Sequence, residues 1–360
     1  MKKVLALILS LAMVMSMVVG CGSTAEAPAE EPAAEEAVEE TAEAPAEEAA
    51  EEPAADFNPK VAMIYNSAVK DGGWNETADE KMHELAEQYG LEVSYQEKVD
   101  DTIILDTLRN YASSGYGLIV DNEQYHCEQI AEVCQEFPDV KFACCNGYLG
   151  KADNFWAITG DMWQHIYLAG VAAGSVTKSN KIGLITFSTD SDSALTMKAA
   201  LTGGVAMANP DAEVIHVATG SFSDLEAGKE MAQSLLDQGC DVILCNSGDC
   251  NGTVCQFCID NEIYAISAIV DRNDMDDTYM LGSAMMPPTA MLDAFVTAYV
   301  NGEFVGADAP DVKGIESGVE EWRLNPALAD TIGKDIAENI EKATAGILDG
   351  SITVELPSAK

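Results

Sequence analysis

The feature that most constrains this chain is a series of short apolar segments that alternate with amphipathic helices from Lys60 onward. The segments are apolar throughout, without the polar alternation of a half-exposed strand, as expected for parallel strands covered by helices on both faces. The sequence therefore predicts an α/β fold with parallel sheets. The predicted strands are Val61–Tyr65, Leu91–Tyr95, Gly117–Val120, Val140–Cys144, Trp156–Thr159, Lys181–Thr186, Glu213–Ala218, Val242–Cys245 and Tyr264–Val270.

The strand and helix pattern occurs twice along the chain. Residues 107–122 and 230–247 each read as a helix ended by a glycine and then an apolar strand at the same offset. Two similar lobes facing each other across a cleft would explain this, although α/β units resemble one another in general. We expect a first lobe over 58–178 with a return segment at 279–302, and a second lobe over 179–278 with a later segment at 303–360. The expected hinges lie near Thr177–Lys181, Asp271–Tyr279 and Gly302–Asp311.

The first residues predict a signal peptide over 1–20. Lys2 and Lys3 precede an apolar stretch, Val4–Val19, that is short for a membrane span and ends directly before Gly20 and Cys21. This arrangement resembles the lipobox of bacterial lipoproteins, in which the new N-terminal cysteine, here Cys21, carries lipid. An ordinary secretory signal with a chance cysteine and a poor transmembrane helix are the alternatives. We expect the mature chain on the extracytoplasmic face of the cell membrane, held by its lipid.

The segment 21–57 is predicted to be a disordered acidic tether. Residues 24–56 contain thirteen Asp and Glu residues and no Lys or Arg, and prolines interrupt every Ala/Glu run. Such a spacer would hold the folded part away from the membrane across a thick cell wall, which favours a Gram-positive cell surface. The formal net charge of the chain, −42, argues against nucleic acid as a partner.

The sequence does not favour catalysis, a metal or a cofactor. Nine cysteines remain after Cys21, an odd number, and several lie in apolar runs where cysteine behaves as a buried hydrophobe. Cys255 and Cys258 have the spacing of a redox or metal pair, but no histidine follows them within thirty residues. None of the four histidines has an adjacent nucleophile, and no phosphate loop or nucleophile elbow is present. We therefore expect mostly free thiols and a protein that is not an enzyme.

Polar residues and one tryptophan follow the predicted strands and are the candidate ligand-binding residues. Because ligands collect at the carboxyl ends of parallel strands, these side chains suit a polyhydroxyl ligand held by carboxylates and amides. Trp74 lies on a glycine-flanked loop and is placed to stack on a flat ligand, although it could also plug the end of a lobe. The carboxylates could instead cap helices. The candidates are Asn66, Asp71, Trp74, Asn75, Asn122, Gly248 and Asp271.

Several segments in order resemble the basic membrane protein family, the substrate-binding lipoproteins of nucleoside ABC importers. The opening segment Lys60–Asn75 ends in a Gly-Gly-Trp-Asn turn that is similar to the family's first motif. The later similar segments are Phe137–Ala143, Tyr167–Ala173, Gly220–Asp224, Asp237–Ile243 and Ala268–Asp271. The resemblance extends across nearly the whole chain after the tether, and these segments in order, together with the lipobox, make it specific.

The resemblance implies a periplasmic-binding-protein type I fold, with two doubly wound parallel-sheet lobes joined by three hinge segments. It also implies a monomeric receptor that delivers a purine nucleoside to the permease and ATPase subunits of an ABC transporter. By motif, Trp74 matches the family's stacking Phe, Asn75 the Asn that follows it, and Asp271 a ribose-binding Asp. The alternatives are a sugar receptor of the same fold and a nucleoside-cleaving enzyme.

The chain departs from the family pattern at three places. Asn66 stands where many members have Asp, and Met197 replaces a Phe. Met285 and Met286 occupy the stretch where a lysine is usual. We expect these departures to affect the identity of the ligand more than the fold.

Overall fold

The structure, a computed structural model, describes residues 57–151, 153–328, 332 and 334–355. The predicted signal peptide 1–20, the predicted lipid attachment site Cys21 and the predicted tether up to residue 56 lie outside the described residues. The described chain forms two six-stranded sheets with helices on their faces.

The secondary structure alternates as the sequence predicts. The strands are β1 Lys60–Ile64, β2 Glu92–Gln96, β3 Leu118–Asp121, β4 Lys141–Cys145, β5 Phe155–Gly160, β6 Lys181–Thr186, β7 Glu213–Ala218, β8 Val242–Asn246, β9 Tyr264–Ile269, β10 Met280–Met285, β11 Asp311–Lys313 and β12 Glu321–Leu324. The helices are α1 Trp74–Tyr89, α2 Ile104–Ser113, α3 Cys127–Val133, α4 Gln164–Val176, α5 Asp192–Ala208, α6 Leu225–Asp237, α7 Cys250–Asp260, α8 Thr289–Val300 and α9 Lys334–Leu348. All nine strands predicted from the sequence are present, with ends that differ by at most one residue.

The two sheets have matching strand orders. The first sheet runs β11-β5-β4-β3-β1-β2 and all its pairs are parallel. The second runs β12-β10-β9-β8-β6-β7, and only the pair formed by β12 with β10 is antiparallel. In each sheet the initial strand lies between the second and the third, which is a doubly wound arrangement. The predicted fold class is confirmed.

Each sheet is buried on both faces, which explains why its strands read as uninterrupted apolar runs. Side chains alternate along β1, so Val61 and Met63 pack under α1 and α8 while Ala62 and Ile64 pack under α2 and α3. In the second sheet, one face packs against α4, α5 and α9 and the other against α6 and α7. We call the first sheet with α1, α2, α3 and α8 the first lobe, and the second sheet with the other five helices the second lobe.

The described chain passes between the lobes three times, but at other places than the sequence suggested. The crossings are 161–163, 286–288 and 314–320, instead of segments near Thr177–Lys181, Asp271–Tyr279 and Gly302–Asp311. The first expected boundary is too late because α4 packs against α5 and α9 of the second lobe. The second is too early because β10 pairs with β9. An apolar helix or strand carries no local signal for which of two similar sheets it will cover or join.

A buried carboxylate ties two of the crossings together. Glu320 accepts hydrogen bonds from the backbone N–H groups of Met162, Gln164 and His165, and its Oε2 lies 2.7 Å from His165 Nδ1. Burial acts to raise the pKa of Glu320, but His165 outweighs it and the pKa is lowered. At Gly160 an added Cβ would lie 2.8 Å from Glu320 Oε1, so the segments approach closely. The hinge region is therefore packed and hydrogen-bonded in this conformation.

Candidate functional site

The strand order places one switch point in each sheet, and most candidate residues lie beside these points. Neighbouring strands whose connections leave in opposite directions open a crevice at their carboxyl ends, where ligands of α/β proteins bind. In the first sheet this position lies between β1 and β3, which end next to Asn66 and Asn122. In the second sheet it lies between β6 and β8, which end next to Phe187 and Ser247.

The loop after β1 is shaped by Asp71, which serves the backbone. Its Oδ1 accepts from the N–H groups of Gly73 and Glu76, at 2.8 and 3.1 Å, and its Oδ2 accepts from that of Asn75 at 3.0 Å. These are the unpaired donors at the start of α1, so Asp71 acts as a helix cap. Its carboxylate is committed to the fold, and the structure gives it the capping role that the sequence left open. Asn66, at the end of β1, is partly exposed.

An amide network joins this loop to β3. Asn75 is buried, and its Nδ2 donates to Ser67 Oγ at 2.8 Å. Its Oδ1 accepts from Asn122 Nδ2 at 3.0 Å. Among the described residues, Asn122 Oδ1 is a buried side-chain oxygen without a hydrogen-bond partner. A buried, unpaired acceptor at a switch point is a natural place for a ligand donor.

Trp74 is the first residue of α1 and is partly buried against the apolar core of the first lobe. Its Nε1 donates to the backbone carbonyl of Asn122 at 2.6 Å. This bond satisfies the only polar group of the indole and fixes the ring. A ligand can therefore use Trp74 only through its ring surface, as in stacking.

Glu123 adds a protonated carboxyl group next to this network. Burial, assisted by the nearby Asp121 carboxylate, raises the pKa of Glu123 from 4.5 to about 8. At the end of β3, Asp121 Oδ2 lies 2.7 Å from Nδ1 of the buried His126. Burial acts to lower the pKa of His126, but Asp121 outweighs it and the pKa is raised. At neutral pH the crevice therefore presents a neutral acid, which can donate as well as accept.

The second lobe presents two stacked phenylalanines. Phe187 directly follows β6 and Phe222 lies in the loop after β7; their ring centroids are 4.2 Å apart and their planes 9° apart. They are 39% and 53% exposed, which is unusual for stacked aromatic rings and leaves ring surface for a ligand. Neither phenylalanine was among the candidates from the sequence, although each follows a predicted strand, which is a signal that could have found them.

Gly248 holds the Phe222 loop close to β8. A Cβ at this position would lie 2.5 Å from the Phe222 carbonyl oxygen, and the φ of Gly248 is +57°, a conformation that favours glycine. The same carbonyl accepts from the N–H of Asp249 at 2.8 Å. The structure therefore gives Gly248 the role of positioning the aromatic pair.

Asp271 lies in a cavity shared by both lobes. Its Oδ2 accepts from Arg323 Nη1 at 2.7 Å, and its Oδ1 accepts from the N–H of Asn273 at 3.0 Å. Burial acts to raise the pKa of Asp271, but these hydrogen bonds and the charge of Arg323 lower it. Just before it, Ile269 has a φ of +74°, a strained conformation for a branched residue of the kind found at functional sites.

This cavity has a volume of about 280 Å³ and connects the late strand ends to α1. Thr77 of the first lobe forms one wall, and Asp271, Glu321 and Arg323 of the second lobe form the charged part of another. The sequence did not point to Arg323 as a site residue, because it lies 52 positions after Asp271 in the chain. The cavity therefore lies between the start of α1 in the first lobe and strand ends of the second lobe, beside the crossing 286–288. We call the space between the lobes the inter-lobe cleft.

The candidates thus fall into three groups. The structure brings Asp71, Trp74, Asn75 and Asn122 together at the first switch point, with Asn66 on the neighbouring strand end. Gly248 lies with Phe222 at the second switch point, and Asp271 lies with Arg323 at the hinge side. In the described part of the chain, no cluster of three or more His, Cys, Asp and Glu side chains is arranged to hold a metal ion. None of the described helices has the length and apolar character needed to cross a membrane.

Comparison with known families gives a match over most of the chain. The family described as "ABC transporter substrate-binding protein PnrA-like" matches residues 58–347. A solved solute-binding protein of an ABC transporter system from Aeropyrum pernix K1 is similar in fold, with a TM-score of 0.72 at 17% identity, covering 84% of this chain and 94% of that one. At this identity the likeness concerns the fold alone.

Two curated relatives carry names that refer to ligands. A protein of Haloferax volcanii, named as a glucose-binding protein of an ABC transporter, is 28% identical over 192 residues, which is 53% of this chain and 49% of that one. A purine-binding protein of Brucella abortus is 28% identical over 187 residues, or 51% of this chain and 53% of that one. The matched regions span about half the length of each relative.

Proposed function

Because this chain belongs to the family of PnrA-like ABC transporter substrate-binding proteins, we propose that it captures a purine nucleoside in the inter-lobe cleft and delivers it to a permease. Its two lobes have the periplasmic-binding-protein type I fold, in which a ligand binds between lobes that close on it. The identity of the ligand and its contacts in the cleft are the finer part of what we propose.

The observation that carries the ligand proposal is the presence of aromatic surface at the switch points of both lobes. Trp74 offers a ring surface on one side and the Phe187 and Phe222 pair offers another. A purine base has two flat faces, and stacking is worth on the order of 1–3 kcal/mol per base. Two platforms suit a flat base held between lobes.

Polar groups beside these platforms suit the rest of a nucleoside. Asn122 Oδ1 is a buried acceptor that a hydroxyl or an amino group could satisfy. Asp271 and Arg323 supply an acceptor and a donor in the shared cavity. Arg323 also brings a cation to the cleft, where Met285 and Met286 stand in place of the family's lysine. The purine-binding name of the Brucella relative is consistent with this ligand class.

A sugar is the second candidate, supported by the name of the Haloferax relative. Sugars also use an aromatic platform with carboxylates and amides, so the residue types alone do not separate the two. The proposal favours the nucleoside because aromatic surface is present on both lobes.

We further propose that the mature chain is a lipoprotein on the extracytoplasmic face of the membrane, attached through Cys21. The basic start, the short apolar stretch and the position of the cysteine support this. The acidic segment that follows would then separate the folded lobes from the membrane, where the permease and ATPase subunits are its partners. In this proposal the protein acts as a monomer and without a cofactor.

A thermal-shift screen tests the ligand proposal. Ligands that bind only the folded state raise the melting temperature by mass action. We expect adenosine, guanosine or inosine to raise it and glucose, ribose and the free bases to raise it less. A shift with glucose or ribose and none with any nucleoside would make the protein a sugar receptor. Incubation of stoichiometric protein with the same nucleosides, followed by chromatography for free base, tests the competing enzyme; release of base would contradict a receptor.

A further inference from the structure

Two buried cysteines of the first lobe lie unusually close to each other. Cys127 is the first residue of α3 and Cys144 lies on β4, and their sulfur atoms are 3.5 Å apart. All nine cysteines of the described chain are free and buried. A disulfide needs the two sulfurs about 2.05 Å apart, so side-chain rotation over a short distance would close this pair.

The surroundings of the two sulfurs distinguish their roles. The 3.5 Å contact between the two sulfurs allows a hydrogen bond in which either thiol is the donor. This contact, assisted by the backbone of Leu149 and Tyr148, lowers the pKa of Cys127. The bond to Cys127 and burial raise the pKa of Cys144. The thiolate is the nucleophile in disulfide exchange, so this difference favours Cys127 as the attacking residue and Cys144 as the resolving one.

One stretch of backbone, 146–150, packs against the pair. Gly147 in this stretch is itself buried, and a Cβ there would be 3.0 Å from Cys144 Sγ and 3.1 Å from Cys127 Sγ. The next residue, Tyr148, is 53% exposed. Displacement of the turn 146–150 is therefore the route by which we expect an external disulfide to reach the sulfurs.

The other cysteine pair suggested by the sequence lacks these features. Cys255 and Cys258 lie in the core between α7 and the second sheet, and both are fully buried. Burial raises the pKa of Cys255 to about 11 and that of Cys258 well above its ordinary value. Among the described residues no hydrogen bond joins their sulfurs, so this pair is a natural internal control.

We propose that Cys127 and Cys144 form a reversible disulfide by exchange with a small external disulfide. The Cys127 thiolate attacks one sulfur of the external molecule and expels the other half as a thiolate. The Cys144 thiolate then attacks the Cys127 sulfur and expels the second half. Two protein thiols thereby lose two electrons and two protons, and the external disulfide leaves as two thiols.

This modification site adjoins the candidate ligand site. Cys144 Sγ donates to the backbone carbonyl of Glu123 at 3.1 Å, and Glu123 follows Asn122. Disulfide formation removes that hydrogen, so the strand end at the first switch point loses one hydrogen bond on oxidation. The disulfide itself does not depend on which ligand is bound.

Peptide mapping of the folded full chain tests the proposal. The protein is treated with hydroxyethyl disulfide, denatured with N-ethylmaleimide to block the remaining thiols, and digested with trypsin. Cleavage after Arg109, Lys141 and Lys151 gives peptides 110–141 and 142–151, which contain Cys127 and Cys144 respectively. We expect these two peptides to be cross-linked, with a mass two hydrogens below the sum of the peptides alkylated at Cys134 and Cys145, and to separate again after dithiothreitol.

The same peptides supply matched controls, because they also contain Cys134 and Cys145. The cross-link should persist in Cys134→Ser and Cys145→Ser and be absent in Cys127→Ser and Cys144→Ser, with circular dichroism checking that each variant is folded. Absence of the cross-link in the wild type overturns the proposal without any variant. The proposal is also overturned by a cross-link that survives Cys127→Ser, or by a Cys255–Cys258 disulfide that forms faster than the Cys127–Cys144 disulfide.

Discussion

At the scale of single residues, the candidate site depends on side chains that already have partners in the fold. Trp74 donates its indole N–H to Asn122, and Asp71 is occupied by the start of α1. What remains for a ligand is ring surface, the unpaired Asn122 oxygen and the groups around Asp271. This distinction between an occupied and an available polar group decides which substitutions test binding and which test stability.

Trp74→Ala should weaken purine nucleoside binding at least tenfold, because the loss of about 1.4 kcal/mol of stacking is one decade in Kd. Trp74→Phe is the matched control: it keeps a ring surface but loses the bond to Asn122, and should retain most of the affinity. Isothermal titration of both variants measures the difference. Equal affinity of Trp74→Ala and wild type would assign Trp74 a purely structural role.

Glu123 should make stability depend on pH. Its pKa is about 8 in the folded chain and 4.5 ordinarily, so the folded state holds more protons than the unfolded one between these values. The contribution of Glu123 to the free energy of unfolding is therefore fully present below about pH 4.5 and is lost as the pH rises through 8, by on the order of a few kcal/mol.

Urea unfolding of wild type and Glu123→Gln across this range measures the effect. The variant keeps a neutral polar group and should lose this part of the pH dependence. Its free energy of unfolding relative to that of the wild type should therefore increase with pH. Parallel curves for the two proteins would contradict a raised pKa at Glu123.

At the scale of secondary structure, α4 and α5 pack at unusually close range. A Cβ at Gly204 of α5 would lie 2.0 Å from the backbone oxygen of Tyr167 in α4, and one at Gly170 of α4 would lie 2.5 Å from that of Leu201. Backbone atoms cannot move aside as side chains can, so these glycines set the distance between the two helices. The contact fixes α4, the first element after a crossing, in the second lobe.

Gly204→Ala should therefore destabilise the protein by about 1–3 kcal/mol, because the added methyl forces the helices apart. Without that clash, alanine in a helix is favoured over glycine by up to about 1 kcal/mol. Gly252→Ala in α7 is the control, since its Cβ would meet only the Arg272 side chain, at 3.4 Å. Chemical denaturation of both variants should separate them, and a Gly204→Ala protein as stable as Gly252→Ala would contradict this packing.

At the scale of the whole molecule, the arrangement is two similar lobes joined at three crossings. Glu320 links the first and third crossings, and the shared cavity joins Thr77 of one lobe to Asp271 of the other. Closure on a ligand would change the backbone at these crossings while the two doubly covered sheets move as units. The hydrogen bonds at the hinge therefore affect both the closure of the lobes on a ligand and the stability of the fold.

Cellular location is predicted at this same scale, from Cys21. Cys21→Ala should release the mature protein from membranes into the medium, because a lipid chain on this cysteine is the proposed attachment. Fractionation of cells expressing the wild type and the variant, followed by immunoblotting, measures the distribution. Retention of Cys21→Ala in the membrane fraction would contradict a lipid anchor, and a variant in Cys240, which is buried in the second lobe, controls for cysteine loss in general.

The sequence by itself determined the local elements and nominated candidate residues that the structure brings together. Apolar runs without alternation predicted strands buried on both faces, and strand ends nominated Trp74, Asn75 and Asn122, which the structure places together. These inferences succeed because burial and periodicity are properties of a few neighbouring residues. The sequence also predicted the number of crossings through the family resemblance, although not their positions.

Only the tertiary structure decided which distant elements meet. It assigned α4 and β10 to the second lobe, paired Asp271 with Arg323 and stacked Phe187 on Phe222. It also brought Cys127 next to Cys144, whereas the sequence pointed to the spacing of another pair. Each of these contacts depends on how whole sheets and helices pack, and an amphipathic or apolar segment specifies that it will be buried without specifying its partner.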